Sequence, residues 1–227
     1  MPVMRESRHL QVRDLGQMSW PEAYALQREL VEQRKQALIS DQLLFVEHPH
    51  TVTMGRNGHE SNVLAGPEML RRAGISYHET NRGGDVTYHG PGQIVGYPIF
   101  DLREWNRDVM AFVRTLEQAV IDTLAGFGIE SWRDPGATGV WTAAGKICAI
   151  GVHISRWVTS HGFALNHSTD LSYFRYIVPC GLSKPVTSME ALGVHLERSS
   201  VEAALALQIG NVFGMRLVGE AILAETR

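Results

Sequence analysis

The sequence predicts an α/β (α+β) fold in which helices flank a mixed central β-sheet. Amphipathic helical patterns alternate along the chain with short apolar stretches typical of strands. Some of these stretches are joined as hairpins, which a strict βαβ array would lack. A chain of 227 residues with 44% hydrophobic and 20% charged residues is ordinary for a globular protein, and we expect one domain spanning residues 1–227.

The N-terminal half predicts two helices and a pair of strands. Residues 19–39 form the first predicted helix, which opens with a capping box from Ser19 to Glu22. Its predicted buried face comprises Ala23, Leu26, Leu30 and Ala37. The stretch DQLLFVEHPHTVTMG predicts two short strands interrupted at Pro49, and EMLRRAGI predicts a short helix ended by Gly74.

The C-terminal half predicts two longer helices and several strands. IVGYPIFDL is a candidate buried strand, GVWTAAGKICAIGVHIS a hairpin turning at Ala-Ala-Gly, and HGFALNHS another strand. A helix over 108–126 is predicted with Asp108 as its cap and Gly126 at its end. A second capping box, from Ser199 to Glu202, predicts a helix that continues to Phe213. The inward positions of these two helices are Val113, Leu116, Val120 and Leu124, and Val201, Leu205, Ile209 and Val212.

Composition argues against several functional classes. The net charge is 21 − 24 = −3, so no global basic field favours nucleic acid or an anionic membrane. No apolar run approaches the roughly 18 residues of a membrane span, and the N-terminus lacks the apolar core of a signal peptide. Two cysteines are too few for a disulfide scaffold, so we expect a reduced, cytoplasmic protein.

Residues 82–93, RGGDVTYHGPGQ, are a candidate functional loop. No lysine occurs between Lys35 and Lys146, which excludes a Walker loop here, and G-x-G-x-x-x-G followed by an apolar strand does not match a Rossmann fingerprint. Ten histidines show no H-E-x-x-H or paired C-x-x-C spacing, so no metal is expected. A plain glycine-rich turn is one alternative. The other alternative is that the loop forms the wall of a pocket, which is favoured because Arg82 and His89 are not typical turn residues.

Two residues outside this loop are candidates for covalent chemistry. Cys148 lies in an apolar strand and is expected to be an inert buried thiol, whereas Cys180 lies between Pro179 and Gly181 in an irregular segment. A nucleophilic cysteine needs a base or a nearby positive charge, and His89, His161 and Lys146 are the candidates. A lysine buried at the head of KICAIG would exchange protons more readily; an exposed turn lysine beside Gly145 is the alternative.

Four motifs in order resemble one family. RGGDVTYHGPGQIVGYP, GVW…GKICAIG, SHGFALN and PCG, spanning residues 82–181, are similar to the octanoyltransferases of lipoate biosynthesis, also called lipoyl(octanoyl) transferases or lipoate-protein ligase B. This resemblance implies the fold of the biotin and lipoate protein ligase catalytic domains. It implies an acyltransferase that moves an octanoyl group from octanoyl-acyl carrier protein to a lysine of lipoyl domains in 2-oxoacid dehydrogenase E2 subunits or of the glycine cleavage H protein.

The resemblance also implies a site. Cys180 would carry the acyl group as a thioester, and Lys146 would act as its general acid and base. The residues implied to bind substrate are Arg82, Gly83, Gly84, Asp85, Val86, Thr87, Tyr88, His89, Ala149, Ile150, Gly151, Gly162, Phe163 and Ala164. No cofactor is implied, because the donor is already activated. Arg56 and Arg82 are candidates for steering the acidic carrier protein.

Two alternatives stay open at this point. One is an ATP-dependent lipoate or biotin ligase of the same fold, which would activate a free acid and would not need Cys180. The other is a non-catalytic protein that binds acyl groups, in which both Cys180 and Lys146 would be dispensable.

Overall fold

The protein is represented by a computed structural model that describes residues 8–178 and 185–218. The strands in these ranges are β1 (Arg8–Gln17), β2 (Asp41–Glu47), β3 (Thr51–Met54), β4 (Ser76–Glu79), β5 (Thr87–His89), β6 (Gln93–Ile99), β7 (Trp132–Asp134), β8 (Ala137–Thr142), β9 (Gly145–Ser155), β10 (Val158–Asn166) and β11 (Met215–Val218). The α-helices are α1 (Trp20–Lys35), α2 (Pro67–Arg72), α3 (Val109–Gly126) and α4 (Arg198–Phe213).

The central sheet has eight strands in the order β11-β1-β2-β6-β10-β9-β8-β7. β1 pairs in parallel with both β11 and β2, whereas the pairs from β2 to β7 are antiparallel. A smaller sheet, β4-β3-β5, lies beside it and contains one parallel and one antiparallel pair. The predicted mixed sheet is therefore confirmed.

Apolar side chains pack on both faces of the central sheet. On one face, α3 and α4 cover a large core that includes Phe45, Phe112 and Phe163. On the other face, α1 packs through Ala23 and Leu30 against a second core beneath β2, β6 and β10. Burial of these apolar surfaces supplies the main favourable free energy of folding. The arrangement confirms that helices flank the sheet.

The first helix begins where the sequence predicts and ends earlier. Ser19 and Glu22 form the predicted capping box, but α1 stops at Lys35 rather than at residue 39. Ala37 adopts the left-handed region, with φ of 56°, and its side chain is exposed, so its predicted inward position is wrong. The chain must turn here because buried Arg34 Nε donates to Asp41 Oδ1 across 2.8 Å, at the start of β2.

Two of the later helix boundaries test the predicted caps. The Asp108 carboxylate accepts the Ala111 N–H at 2.9 Å, and α3 ends at Gly126, as predicted. The second predicted capping box is wrong, because α4 begins at Arg198 after Glu197. Glu202 pairs instead with Arg198 at 2.7 Å, and its burial raises the pKa of its carboxyl to about 7. The inward positions Val201, Leu205 and Ile209 are buried, and Val212 is half-buried.

The hairpin prediction is confirmed by β8 and β9, which turn at Ala143 and Ala144. The parallel neighbours β1 and β11 and the short strands β4, β5 and β7 were not predicted from the sequence. β1 carries a signal that was available, because Leu10 and Val12 alternate with polar residues and are buried. Among the described helices, none is both long enough and apolar enough to cross a membrane.

Candidate active site

A narrow apolar cavity lies between the glycine-rich stretch 82–93 and the paired strands β9 and β10. The stretch is tied to β9 by the Gly83 N–H, which donates to the Val152 carbonyl at 2.8 Å. The cavity has a volume of about 50 Å³, well below the roughly 300 Å³ at which ligand pockets usually begin. Its lining comprises Trp20, Arg82, Gly84, Asp85, Val86, Thr87, His89, Val95, Tyr97, Ala149, Ile150, Gly151, His161, Gly162, Phe163 and Ala164.

Twelve of the fourteen expected substrate-binding residues line this cavity. The two exceptions are Gly83 and Tyr88. Gly83 faces a groove on the α3 side of β9. The Tyr88 ring is buried in the core around the small sheet, and its hydroxyl bonds His50 Nδ1 at 2.7 Å. The stretch 82–93 therefore contributes a cavity wall, and Tyr88 supports that wall from behind.

Four of the lining residues were not predicted to bind substrate. Val95 and Tyr97 point to the same face of β6, and their spacing of two was a usable signal. Trp20 is the first residue of α1 and lies more than sixty positions before Arg82, the first residue predicted to bind substrate. No local sequence pattern could therefore place Trp20 in the wall of this cavity. The sequence indicates His161 only as a candidate base for Cys180, whereas the structure places it in the wall of the cavity.

Arg82 anchors the wall from the inside. Its side chain is buried, and Nη2 donates to the Thr53 carbonyl at 2.7 Å and to Thr53 Oγ1 at 3.0 Å. A guanidinium held this way does not face solvent, so the expectation that Arg82 steers a carrier protein is wrong. Arg56 is exposed, with Nη2 3.2 Å from the Asn81 carbonyl, and its steering role stays a prediction.

Glycine is required at two points in the cavity wall, once for its backbone conformation and once for a close backbone contact. Gly84 adopts φ of 86°, a conformation that side chains rarely take. A side chain at Gly151 would place its Cβ 2.8 Å from the Gly83 carbonyl oxygen. The contact at Gly151 brings the stretch 82–93 close to β9 and explains why the wall can be this thin.

A chain of hydrogen bonds links the cavity to Lys146. His89 Nδ1 lies 2.9 Å from Gln93 Oε1, and Gln93 Nε2 donates to Asn166 Oδ1 at 2.9 Å. Asn166 Nδ2 in turn donates to the Thr187 carbonyl at 2.9 Å. The Thr187 N–H donates to the Lys146 carbonyl at 2.9 Å. Because each amide is buried and partnered, the chain fixes β9 and residues 185–187 relative to the cavity.

Lys146 is a buried residue of β9, so the alternative of an exposed turn lysine is wrong. Its side chain is 6% exposed, and its backbone N–H donates to the Pro185 carbonyl at 2.9 Å. Nζ lies 4.6 Å from the centre of the Trp141 ring, within the range of a cation–π contact. Cys180 lies outside the described residues. The nearest described residue before it, Val178, donates its N–H to the Asn62 carbonyl at 2.7 Å.

The other candidates for covalent chemistry are poorly suited to it. Burial lowers the pKa of His89 and of His161 to about 3, so neither ring is an effective proton acceptor near neutral pH. Cys148 is fully buried, and burial raises the pKa of its thiol, as expected for an inert cysteine. Within residues 8–178 and 185–218, no group of three or more His, Cys, Asp and Glu side chains could hold a metal ion.

The buried side chain of His48 is expected to make the free energy of unfolding depend on pH. Burial lowers its pKa to about 4, and its Nε2 lies 2.8 Å from the Tyr97 hydroxyl. Above pH 6.5 the ring is neutral in both the folded and the unfolded chain. Between pH 6.5 and 4 only the unfolded chain binds the proton, so this group lowers the free energy of unfolding by about 1.4 kcal/mol per pH unit as the pH falls.

We therefore expect His48→Gln to flatten the pH dependence by about one proton between pH 6 and 4.5. Urea unfolding of both proteins across this range measures the slope. His195→Gln is the control, because that ring is 70% exposed. Equal slopes for the wild type and His48→Gln would show that His48 is not held neutral by burial.

Comparison with known proteins gives a consistent result. The family model described as "Lipoyl protein ligase A/B catalytic domain" matches residues 20–210. An octanoyltransferase from Solibacter usitatus (strain Ellin6076) is 59% identical over 213 residues, covering 94% of this chain and 97% of that protein. An octanoyltransferase from Koribacter versatilis (strain Ellin345) is 50% identical over 211 residues, covering 90% and 84%.

The fold is shared with solved structures of lower sequence identity. A bi-partite lipoate protein ligase from Thermoplasma acidophilum, described with its E2 lipoyl domain, matches with a TM-score of 0.71 at 16% identity. The match covers 95% of this chain and 88% of that one. Similarity at this identity concerns the fold alone.

Proposed function

The chain belongs to the lipoyl protein ligase A/B catalytic domain family and to its octanoyltransferases, and on that premise we propose that it transfers an octanoyl group to a lysine of lipoyl domains. The observation that carries the proposal is the apolar cavity walled by β9 and β10, with buried Lys146 near the head of β9. An apolar cavity suits the acyl tail, and a buried amine suits the transfer chemistry.

The donor and acceptors follow from the same proposal. We propose octanoyl-acyl carrier protein as donor, with E2 lipoyl domains and the glycine cleavage H protein as acceptors, in the cytoplasm. The acyl group of this donor is already activated as a thioester, so the reaction needs no ATP and no cofactor. The T. acidophilum ligase, whose fold this chain shares, is described with an E2 lipoyl domain.

The first half of the proposed reaction loads Cys180. Lys146 accepts the thiol proton, and the thiolate attacks the donor carbonyl. A bond forms between the Cys180 sulfur and the acyl carbon, the donor C–S bond breaks, and Lys146 returns the proton to the leaving thiol. One thioester replaces another, so this step is nearly isoenergetic.

The second half passes the acyl group to the acceptor. The amine of the target lysine attacks acyl-Cys180, an amide bond forms, and the bond to the Cys180 sulfur breaks. Lys146 accepts a proton from the attacking amine and passes it to the departing Cys180 sulfur, so Cys180 is regenerated as a thiol. Burial of six tail methylenes at about 0.8 kcal/mol each contributes about 5 kcal/mol of binding free energy before entropy costs. Two half-reactions predict ping-pong kinetics.

Intact-mass measurement tests the proposal. We expect a gain of one octanoyl group after mixing with octanoyl-acyl carrier protein, lost on treatment with hydroxylamine and absent in Cys180→Ser. Cys148→Ser is the matched control and should load normally, because that thiol is buried in the core. An undiminished adduct in Cys180→Ser would show that the nucleophile is another residue.

The same assay separates the alternative functions. Octanoyl-lysine formed only from free octanoate and ATP would indicate a ligase instead. Tight binding of the donor without formation of octanoyl-lysine on a lipoyl domain would indicate a non-catalytic acyl-binding protein.

A further inference from the structure

Four aromatic rings from three elements stack at one side of the cavity. Trp20 of α1 stacks on Tyr24 at a centroid distance of 4.9 Å and on His78 of β4 at 5.1 Å. Tyr24 stacks on His161 of β10 at 5.4 Å, with the planes 19° apart. Of these four rings, Trp20 and His161 line the cavity.

Strand register places this stack at the end of the cavity away from Lys146. β9 and β10 are antiparallel, with Ala164 opposite Ala149 and Gly162 opposite Gly151. Lys146 precedes Ala149 on β9, whereas His161 directly precedes Gly162 on β10. A tail that enters from the Lys146 side therefore runs toward Gly162 and meets the Trp20 and His161 rings last.

The length of the strand segment that walls the cavity is similar to that of an octanoyl tail. Ala149 and Gly151 are two residues apart, which is about 7 Å along a strand. The seven carbons beyond a carbonyl span six bonds, or about 7 Å at about 1.2 Å per bond of an extended chain. Because the cavity holds only about 50 Å³, the side chains at its end decide how much further a tail can extend.

The wall is held in place by a strained backbone. His161 has φ of 56°, which is costly for a residue with a Cβ and persists only where the surroundings enforce it. Its N–H donates to Gln27 Oε1 at 2.8 Å, and its Nε2 donates to Asn81 Oδ1 at 2.7 Å. These two bonds aim the ring at the stack. Such strain is typical of functional positions.

We propose that Trp20 and His161 form the end wall of the acyl cavity and set the longest chain that the enzyme transfers. The inference rests on the proposed function, since it concerns the substrate of the same site. Trp20 supplies the bulk of the wall. His161 fixes the position of the stack through its strained backbone and its two hydrogen bonds.

The test compares octanoyl and dodecanoyl carrier proteins as donors. We expect Trp20→Ala to raise the ratio of kcat/KM for dodecanoyl over octanoyl by tenfold or more, because four added methylenes gain a place to bind. His161→Gly should shift the ratio in the same direction. Glycine accepts the positive φ without strain, so this variant keeps the fold even if Trp20→Ala does not.

Trp132→Ala is the matched control. Trp132 is a half-exposed tryptophan on β7, at the far edge of the sheet, and its loss should leave the ratio unchanged. An unchanged ratio in both folded wall variants would overturn the end-wall proposal while octanoyl transfer by the wild type still stands. A wild type that forms no octanoyl-lysine at all would instead refute the proposed function.

Discussion

Replacing Lys146 by methionine should lower kcat/KM for octanoyl transfer by about 10²–10⁴-fold, the usual contribution of a positioned general acid or base. Methionine keeps an unbranched chain of similar length and removes only the amine. The residue is buried in β9, bridged to Val186 and held through backbone bonds to Pro185 and Thr187. These main-chain contacts do not depend on the side chain, so the strand should keep its position.

The stability of Lys146→Met separates chemistry from structure. Loss of the contact with Trp141 should cost about 0.5–2 kcal/mol of unfolding free energy, which leaves the protein folded at 25 °C. Lys146→Arg should be nearly as inactive, because a guanidinium keeps the charge and does not release its proton. Lys35→Met serves as the control, since Lys35 is also a little-exposed lysine, pairs with Glu32 at 2.6 Å on α1 and is not among the residues that line the cavity. Activity of Lys146→Met within threefold of the wild type would exclude the assigned role.

Replacing Glu117 by alanine should lower the free energy of unfolding by about 1–3 kcal/mol, the usual cost of leaving a buried donor without its acceptor. Glu117 lies on α3 and is fully buried. Its carboxylate accepts the Gly139 N–H at 2.9 Å and pairs with Arg114 at 2.8 Å and Arg133 at 3.2 Å. Alanine leaves the buried N–H of Gly139 without its acceptor and uncouples α3 from β8.

A matched carboxylate on another helix is the control for Glu117. Glu68 of α2 also pairs with an arginine, Arg72 at 2.5 Å, but both side chains are exposed. Glu68→Ala should cost less than about 1 kcal/mol, because water screens an exposed pair. Urea unfolding measures both variants. Similar losses for the two would mean that the Glu117 contacts contribute no more than a surface pair.

Local chemistry made much of the fold predictable. The capping box at Ser19, the Asp108 cap, the stop at Gly126 and the hairpin at Ala143 and Ala144 all follow from contacts within a few residues. Such contacts form in the same way whatever surrounds them. The apolar stripes of α3 and α4 are similar, since periodicity alone selects the buried face.

Two predictions failed where an ion pair outside the predicted motif competed with the local signal. Ser199 and Glu202 match a capping box, yet Glu202 pairs with Arg198, and α4 begins before Ser199. Ala37 continues a helical pattern, yet Arg34 bonds Asp41 and the chain turns into β2. In both cases an ion pair between residues four or seven positions apart outweighs a propensity of a few tenths of a kcal/mol.

The sequence by itself determined which residue types form the site, namely a glycine-rich stretch and a lysine at the head of a strand. The resemblance to a known family singled out both. Only the tertiary structure decided that Lys146 is buried, that Arg82 points inward and that Trp20 joins His161 at the end of the cavity. The physical reason is distance along the chain. Trp20 and His161 are 141 positions apart, and packing of α1 on β10 brings them together. A local sequence pattern cannot predict a contact over that separation.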